Sequence, residues 1–186
     1  MVMICTEGMN YMNTELSDYI SIATIIIAVV GGVFAFIQWR RTISLKRADY
    51  IRELTDLLRS EPEIRDTMQK IDYGIIWYDE KFHYSDIEKM VDRTLSFVSY
   101  ICYLYENGII SEKEFCVLKY VVERTISNNQ VQDYLYNLYH FTSRLSINSA
   151  FIYLFKYGEK NNKFDEDFYN NTSYEHSLKY HKRINI

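Results

Sequence analysis

Four histidines are the residues of this chain that could perform acid–base chemistry or bind a metal ion, and they are scattered along the sequence. They are His83, His140, His176 and His181. A zinc site needs His, Cys or acidic ligands at short characteristic spacings, and no such spacing surrounds these histidines. The chain also contains no glycine-rich phosphate-binding loop and no nucleophile elbow. The sequence therefore predicts no metal, no cofactor and no nucleotide hydrolysis.

The pair His140 and Arg144 is the one constellation with catalytic character. A separation of four residues places both side chains on one face of a helix, where His could transfer a proton and Arg could hold a phosphate. HEPN ribonucleases use these residue types, but their motif runs from Arg through four to six residues to His. Here the order is reversed, and no Arg precedes any His at that distance. We therefore expect no enzyme, and keep His140 and Arg144 as catalytic candidates for an alternative ribonuclease only.

The elements that must position these residues are predicted to be helices, which makes the fold class all-α. One Pro and six Gly leave long stretches without breakers, and Ser85 with Glu88 and Ser111 with Glu114 are capping-box patterns. Beyond a long first helix reaching Leu58, the apolar periodicity predicts helices over 63–71, 85–106, 111–127, 131–145 and 150–158. Residues 73–84 form an aromatic connector between the second and third of the helices.

The longest uncharged stretch of the chain is Tyr19 to Trp39, twenty-one residues. A helix of this length extends about 31 Å, close to the bilayer's hydrocarbon core of about 30 Å. Trp39 followed by Arg40 is typical of a membrane interface. The sequence therefore predicts a single transmembrane helix that acts as an uncleaved anchor.

The charges that flank this span predict its orientation. Residues 1–18 contain no Lys or Arg, whereas four basic residues follow the span closely. They are Arg40, Arg41, Lys46 and Arg47. Because basic residues stay on the cytoplasmic side, the N-terminus should lie outside and the C-terminal bulk in the cytoplasm. The basic group itself suits anionic lipid headgroups.

The span and its flanks predict four regions. They are an extracytoplasmic N-terminus (1–18), the transmembrane helix (19–39), a cytoplasmic helical domain (40–158) and a loosely ordered tail (159–186). The net charge of −4 argues against DNA binding, because no broad basic face is evident. Cys102 and Cys116 fall in apolar helical patterns on the reducing side, so we expect buried free thiols.

One face of the span differs from the rest. Projected at about 100° per residue, its small and weakly polar residues share an arc of about 120°, which we call the small-residue stripe. The stripe consists of Ser21, Thr24, Ala28, Gly31, Gly32, Ala35 and Gln38. Small residues let helices approach closely in a bilayer. Because the chain has one span, the stripe predicts contact with another chain, most simply a second copy.

Ring size decides what such self-association can do. Four helices leave almost no bore, since their axes lie about 7 Å from the centre and each fills about 5 Å. Eight helices place the axes about 13 Å out and leave a bore of about 8 Å radius. Ser21, Thr24 and Gln38 would then wet the ends of an apolar channel able to gate by dewetting. The sequence leaves both ring sizes open.

Two cytoplasmic segments carry a resemblance to a known family. WRRTISLKRADYIRELTDLLRSEPEIRDTM runs from Trp39 to Met68, and ENGIISEKEF runs from Glu106 to Phe115. Together with the N-terminal span they resemble the small single-span accessory membrane proteins of type VI-B CRISPR systems. The resemblance implies a bacterial inner-membrane protein that strengthens antiphage RNA targeting beside an RNA-guided RNase, as a pore that lowers the membrane potential. It also implies a HEPN-like helical bundle, from which the missing Arg-to-His spacing departs.

We therefore expect a non-enzymatic antiphage effector that assembles as a homo-oligomeric pore. A membrane-tethered HEPN-like RNase and a passive membrane scaffold for a cytoplasmic partner are the two alternatives.

Overall fold

The computed structural model describes residues 4–169, and every regular element in that range is a helix. The α-helices are α1 (Ile4–Ser60), α2 (Pro62–Asp72), α3 (Asp86–Glu106), α4 (Glu112–Ile126), α5 (Asn129–Arg144) and α6 (Ile152–Lys160), followed by a 3₁₀ turn (Glu166–Tyr169). The predicted all-α class is confirmed. The predicted helices all occur, with ends displaced by a few residues.

Helix α1 contains the apolar stretch that the sequence singles out. The segment Tyr19–Ser60 is long and apolar enough to cross a membrane, and none of its apolar window is buried. The contacts divide the chain into two units, Met1–Asp49 and Tyr50–Ile186. The division falls within α1, ten residues after residue 40, where the sequence placed the start of the cytoplasmic domain.

Side-chain caps fix the first turns of three helices. The Ser85 and Ser111 hydroxyls accept from the backbone N–H of Glu88 and Glu114 at 3.2 and 3.4 Å. Asn128 Oδ1 accepts from two N–H groups at the start of α5. These bonds satisfy N–H groups that would otherwise lack partners at a helix start.

Only one of the two predicted capping boxes is complete. At α4 the Glu114 carboxylate returns to the Ser111 N–H at 2.6 Å. At α3 the Glu88 carboxylate instead accepts from the Tyr84 N–H at 2.5 Å and contacts the His83 ring at 2.9 Å. The aromatic connector offers Glu88 a tertiary partner, and this contact replaces the local one.

Two glycines end helices with the same geometry. Gly74 after α2 and Gly108 after α3 have φ of +60° and +65°. The following N–H groups, of Ile75 and Ile109, bond back to carbonyls in the last helical turn at 3.0 and 2.9 Å. This is the Schellman arrangement, in which the residue after the cap adopts a left-handed conformation that glycine tolerates best.

The core of the second unit forms around α3. This helix packs against α2, α4 and α6, and its inward face is completely buried from Val91 to Leu104. The connector contributes Trp77, Tyr78 and Phe82, which are all buried. A segment without helical periodicity therefore supplies three of the largest core side chains.

The tail expected from residue 159 does not begin there. Helix α6 continues to Lys160, and Phe168 in the following turn is fully buried. The Phe168 ring stacks on Phe164 with centroids 4.1 Å apart, and its N–H donates to Asp165. Apolar periodicity missed this segment because one deeply buried ring, rather than a helical stripe, anchors it. Residues 170–186 lie outside the described residues.

This anchoring gives a first prediction. Phe168→Ala should lower the free energy of unfolding by about 3–5 kcal/mol, because it removes a completely buried aromatic side chain. Urea unfolding of the detergent-solubilised full chain, followed by the fluorescence of buried Trp77, measures the change. Tyr73→Ala is the matched control, since Tyr73 is 78% exposed, and it should change stability by less than about 0.5 kcal/mol. Equal effects of the two variants would contradict a packed 161–169 segment.

Candidate functional site

The span is the most unusual surface of the chain. Every side chain from Tyr19 to Thr42 is exposed. This includes the whole small-residue stripe and the bulky residues opposite it. An exposed helix surface this apolar is stable in lipid or against another apolar surface, but not in water.

Gly31 and Gly32 are not required by any contact within this chain. A Cβ built at either position meets no atom within 4 Å, and neither glycine has a positive φ. A glycine inside a helix costs about 1 kcal/mol relative to alanine. Their presence therefore has no explanation in the fold of one chain, whereas close approach of a second helix would need it.

The polar members of the stripe are partly satisfied by the helix itself. The Thr24 hydroxyl donates to the Ile20 carbonyl at 2.8 Å. Such a bond lets a hydroxyl lie in an apolar environment without an unsatisfied donor. Thr24 thus offers a neighbouring helix a small surface and an acceptor oxygen.

The end of the span has the form expected of an interface. The Phe36 and Trp39 rings lie 5.9 Å apart, and the Arg40 guanidinium lies 6.0 Å from the Phe36 ring centroid. The other three basic residues that follow the span are also exposed, namely Arg41, Lys46 and Arg47. These exposed basic side chains can contact phosphate headgroups without breaking an ion pair within the protein.

The His140–Arg144 pair is arranged for packing. His140 is buried, with 2% of its surface exposed, and its Nε2 lies 2.9 Å from the carbonyl oxygen of Phe168. The Arg144 Nε donates to the backbone oxygen of His140 at 3.3 Å. The Tyr136 ring lies 4.4 Å from the imidazole. A general acid or base must reach its substrate, and this imidazole is enclosed.

The polar groups that converge most closely belong to the aromatic connector. The side chain of Gln130 on α5 binds the backbone of the connector. Its Oε1 accepts from the Trp77 and Tyr78 N–H groups at 2.6 and 2.9 Å, and its Nε2 donates to the Ile75 carbonyl at 2.9 Å. One amide side chain therefore takes the place of a strand or helix partner for three backbone groups. This fixes the connector against α5.

Beside this anchor lies a cluster of titratable groups, which we call the His83 cluster. It consists of His83, Glu88, Asp92 and Tyr134. His83 Nδ1 lies 2.9 Å from Glu88, and the Tyr134 hydroxyl donates to Asp92 at 2.6 Å. Glu88 and Asp92 are four residues apart, so both carboxylates share one face of α3. His83 Nε2 is buried without a hydrogen-bond partner among the described residues.

Burial shapes the acidity of this cluster. Loss of solvent raises the pKa of Asp92 above its ordinary value, and Glu88 adds to this, while the Tyr134 hydrogen bond and His83 oppose it. Burial and the Asp92 charge raise the pKa of the Tyr134 hydroxyl. The rings of Tyr78, Phe82 and Tyr134 pack around the imidazole, so the arrangement fastens the connector to α3 and α5. The His83 and Glu88 side chains remain partly exposed, at 13% and 23%.

The cysteines and acidic residues add no metal centre. Cys102 is buried as expected, and burial raises its pKa to about 12, so it is unreactive. Cys116 is exposed, contrary to expectation, because α4 turns that face outward. Within the described residues no group of three His, Cys, Asp or Glu side chains could hold a metal ion.

Comparison with protein-family models, with curated proteins and with solved structures found no match to this chain. Function must therefore be argued from the residues themselves. Sequence reasoning selected the stripe and the His140–Arg144 pair but missed the His83 cluster. The sequence signal for this cluster was the four-residue spacing of Glu88 and Asp92 after an aromatic segment. That spacing identifies a cluster only in the folded structure, where Tyr134 contacts Asp92.

The acidity of Asp92 gives a prediction with a defined sign. Because its folded-state pKa is raised, the ionised form is disfavoured in the fold. Asp92 therefore contributes a loss of stability as the pH rises above about 4. The free energy of unfolding of wild type minus that of Asp92→Asn should fall between about pH 4 and pH 7.

Asp86→Asn is the control for this measurement. Asp86 is exposed, and its hydrogen bond and ion pair with Lys89 lower its pKa. The corresponding difference should run in the opposite direction and at lower pH, because the stability contributed by an acid with a lowered pKa is complete above about pH 4 and is lost as the pH falls below it, so the measurement spans about pH 2 to pH 7. Urea unfolding across this pH range tests both, and a pH-independent difference for Asp92→Asn would contradict its burial.

The packing of His140 makes Arg144 the cleaner probe of catalysis. Arg144→Ala should leave RNA degradation and antiphage protection unchanged, and should alter stability by less than about 0.5 kcal/mol, because Arg144 is exposed. A plaque assay and an RNA cleavage assay with purified protein measure these outcomes. A loss of protection by more than about tenfold with unchanged stability would restore the ribonuclease alternative.

Proposed function

We propose that this chain is a non-enzymatic, membrane-anchored homo-oligomer whose spans assemble through the small-residue stripe and form a pore. The observation that carries the proposal is the pair of helix-interior glycines, Gly31 and Gly32, with open space around both. Close approach of another helix would compensate their cost to the isolated helix.

Several features support assembly in a membrane rather than in water. The apolar window of α1 is entirely unburied in the single chain. Aromatic and basic groups at Phe36, Trp39 and Arg40 contact one another where an interface would lie. The positive flank favours an N-terminus outside and a helical domain in the cytoplasm.

A pore follows from assembly only in a large ring. Eight spans leave a bore of about 8 Å radius, whereas four leave almost none. An octamer would place the stripe on the lumen, with Gly31, Gly32 and Ala35 as a smooth apolar constriction that dewets when closed. Opening would let ions flow and depolarise the inner membrane.

The biological role in this proposal comes from the family resemblance. A depolarising pore beside an RNA-guided RNase would enhance antiphage RNA targeting by slowing the infected cell's metabolism. The proposed partners are accordingly a lipid bilayer and further copies of the same chain, and the protein acts in functional association with that RNase. No cofactor and no DNA are part of this proposal.

The two alternatives differ in their support. A membrane-tethered RNase has little, because His140 is enclosed and bonded to Phe168. A passive scaffold is favoured by one observation: residues from Tyr50 onward form a compact unit with its own core. Such a unit could recruit a cytoplasmic partner without any contribution from the span.

Gly32→Leu tests the assembly proposal directly. The added side chain should block close helix approach, so that the protein loses its large oligomer in detergent and fails to depolarise vesicles or cells. Val33→Leu is the matched control, because Val33 lies on the opposite face of α1 and receives the same final side chain. Mass photometry and a membrane-potential dye report the two properties.

Wild-type depolarisation by Gly32→Leu would remove the stripe from the mechanism. Replacing residues 19–39 with an unrelated span separates pore from scaffold: the pore proposal expects loss of protection, and the scaffold alternative expects none. Proteoliposomes that remain ion-tight with intact oligomers would argue against a pore while leaving assembly in place.

A further inference from the structure

An open groove of about 240 Å³ lies on the surface of the second unit, outside every site described above. Its lining consists of Ser96, Ser99, Tyr100, Tyr103, Ala150 and Tyr153, contributed by α3 and by the start of the α6 region. We call it the tyrosine groove. Pockets for drug-sized ligands measure about 300–1,000 Å³, so this groove can enclose only part of such a ligand.

Ser99 places a hydroxyl group in this groove. The residue is 3% exposed, yet its hydroxyl forms no hydrogen bond with any described residue. On the same helix the Thr94 hydroxyl donates to the Met90 carbonyl at 2.8 Å. The Ser99 oxygen is not itself fully buried, so it can form its hydrogen bond with water or, in place of water, with a ligand.

The walls of the groove are aromatic and held in place. The Tyr100 and Tyr103 rings are nearly parallel, with centroids 6.0 Å apart, and Tyr103 meets Tyr153 edge-on at 4.8 Å. The Tyr100 hydroxyl lies 2.6 Å from that of Tyr50 on α1, which fixes its direction. Tyr100 remains 44% exposed, so it offers a positioned ring on which a planar group can stack.

Charges of both signs lie near the groove, because the Glu53 carboxylate acts on the Tyr50 hydroxyl that meets Tyr100, and Lys156 lies beside Tyr153. Lys156 is exposed, and its Nζ lies 5.2 Å from the centroid of the Tyr153 ring. It forms no ion pair with a described residue. An ammonium group in this position disfavours a cationic ligand and favours an anionic one.

We propose that the tyrosine groove is a binding site for a mononucleotide. The base stacks on Tyr100, the Ser99 hydroxyl bonds to the edge of the base, and Lys156 pairs with the phosphate. A nucleotide combines a planar ring, hydrogen-bonding edges and negative charge, which match the Tyr100 ring, the Ser99 hydroxyl and the Lys156 ammonium group in turn. The inference does not depend on pore formation, because it concerns a surface of the helical domain alone.

The test measures binding of AMP, GMP, CMP and UMP to the detergent-solubilised full chain by isothermal titration calorimetry and saturation-transfer NMR. At least one should bind with a dissociation constant below about 1 mM. Ribose 5-phosphate, which lacks a base, should bind at least about tenfold more weakly. The corresponding nucleoside lacks the phosphate, so it should bind more weakly and its affinity should not fall with added salt.

Three variants locate the binding. Tyr100→Ala should weaken it about tenfold by removing the stacking surface. Lys156→Gln should abolish the difference between nucleotide and nucleoside. Tyr120→Ala, at an exposed ring on α4, is the control and should bind as wild type does. Ser99→Ala should weaken binding without lowering stability, because the hydroxyl has no partner to lose.

The proposal is overturned if none of the four nucleotides binds below about 1 mM, or if Tyr100→Ala and Tyr120→Ala bind equally well. Its failure is distinct from failure of the proposed pore, since an assembled, conducting oligomer with no nucleotide affinity would refute only the groove.

Discussion

The exposed apolar surface of α1 is the constraint on which the rest of this molecule depends. Twenty-one uncharged residues with exposed side chains are unfavourable in water, and such a surface is stable only in lipid or against another apolar surface. A helix is the form in which such a segment satisfies its own backbone hydrogen bonds. Gly31 and Gly32 within it leave open space in which another helix could approach closely.

The helical domain meets a different physical problem, which is how to hold an irregular segment in a core of helices. Backbone groups in the connector cannot bond to one another as in a helix, and Gln130 satisfies three of them with one side chain. The rings of Trp77, Tyr78 and Phe82 then fill the space beside α3 and α5. The His83 cluster completes this attachment. The His83 cluster has the composition of a catalytic set, and in this structure it attaches the connector to α3 and α5 of the same chain.

Burial also decides which chemically capable residues are available. His140 and Cys102 have reactive side chains in principle, but one is bonded to a backbone carbonyl inside the core and the other is held protonated by its apolar surroundings. In the tyrosine groove, by contrast, the Ser99 hydroxyl forms no hydrogen bond and Lys156 no ion pair with another described residue. Availability, rather than residue type, therefore separates a site from a structural contact.

Periodicity and flanking residues alone determined the all-α class, the span, the Ser111–Glu114 box and most helix limits, because these depend on neighbours within about one helical turn. The tertiary structure decided what depends on distant partners. The Glu88 carboxylate binds the connector instead of its local N-cap, Cys116 is exposed, and Phe168 is buried in the core although its segment has no apolar pattern. Tyr50 and Tyr100 are fifty residues apart and meet at 2.6 Å. No local pattern encodes such a pair, because its energy arises only when the helices have packed.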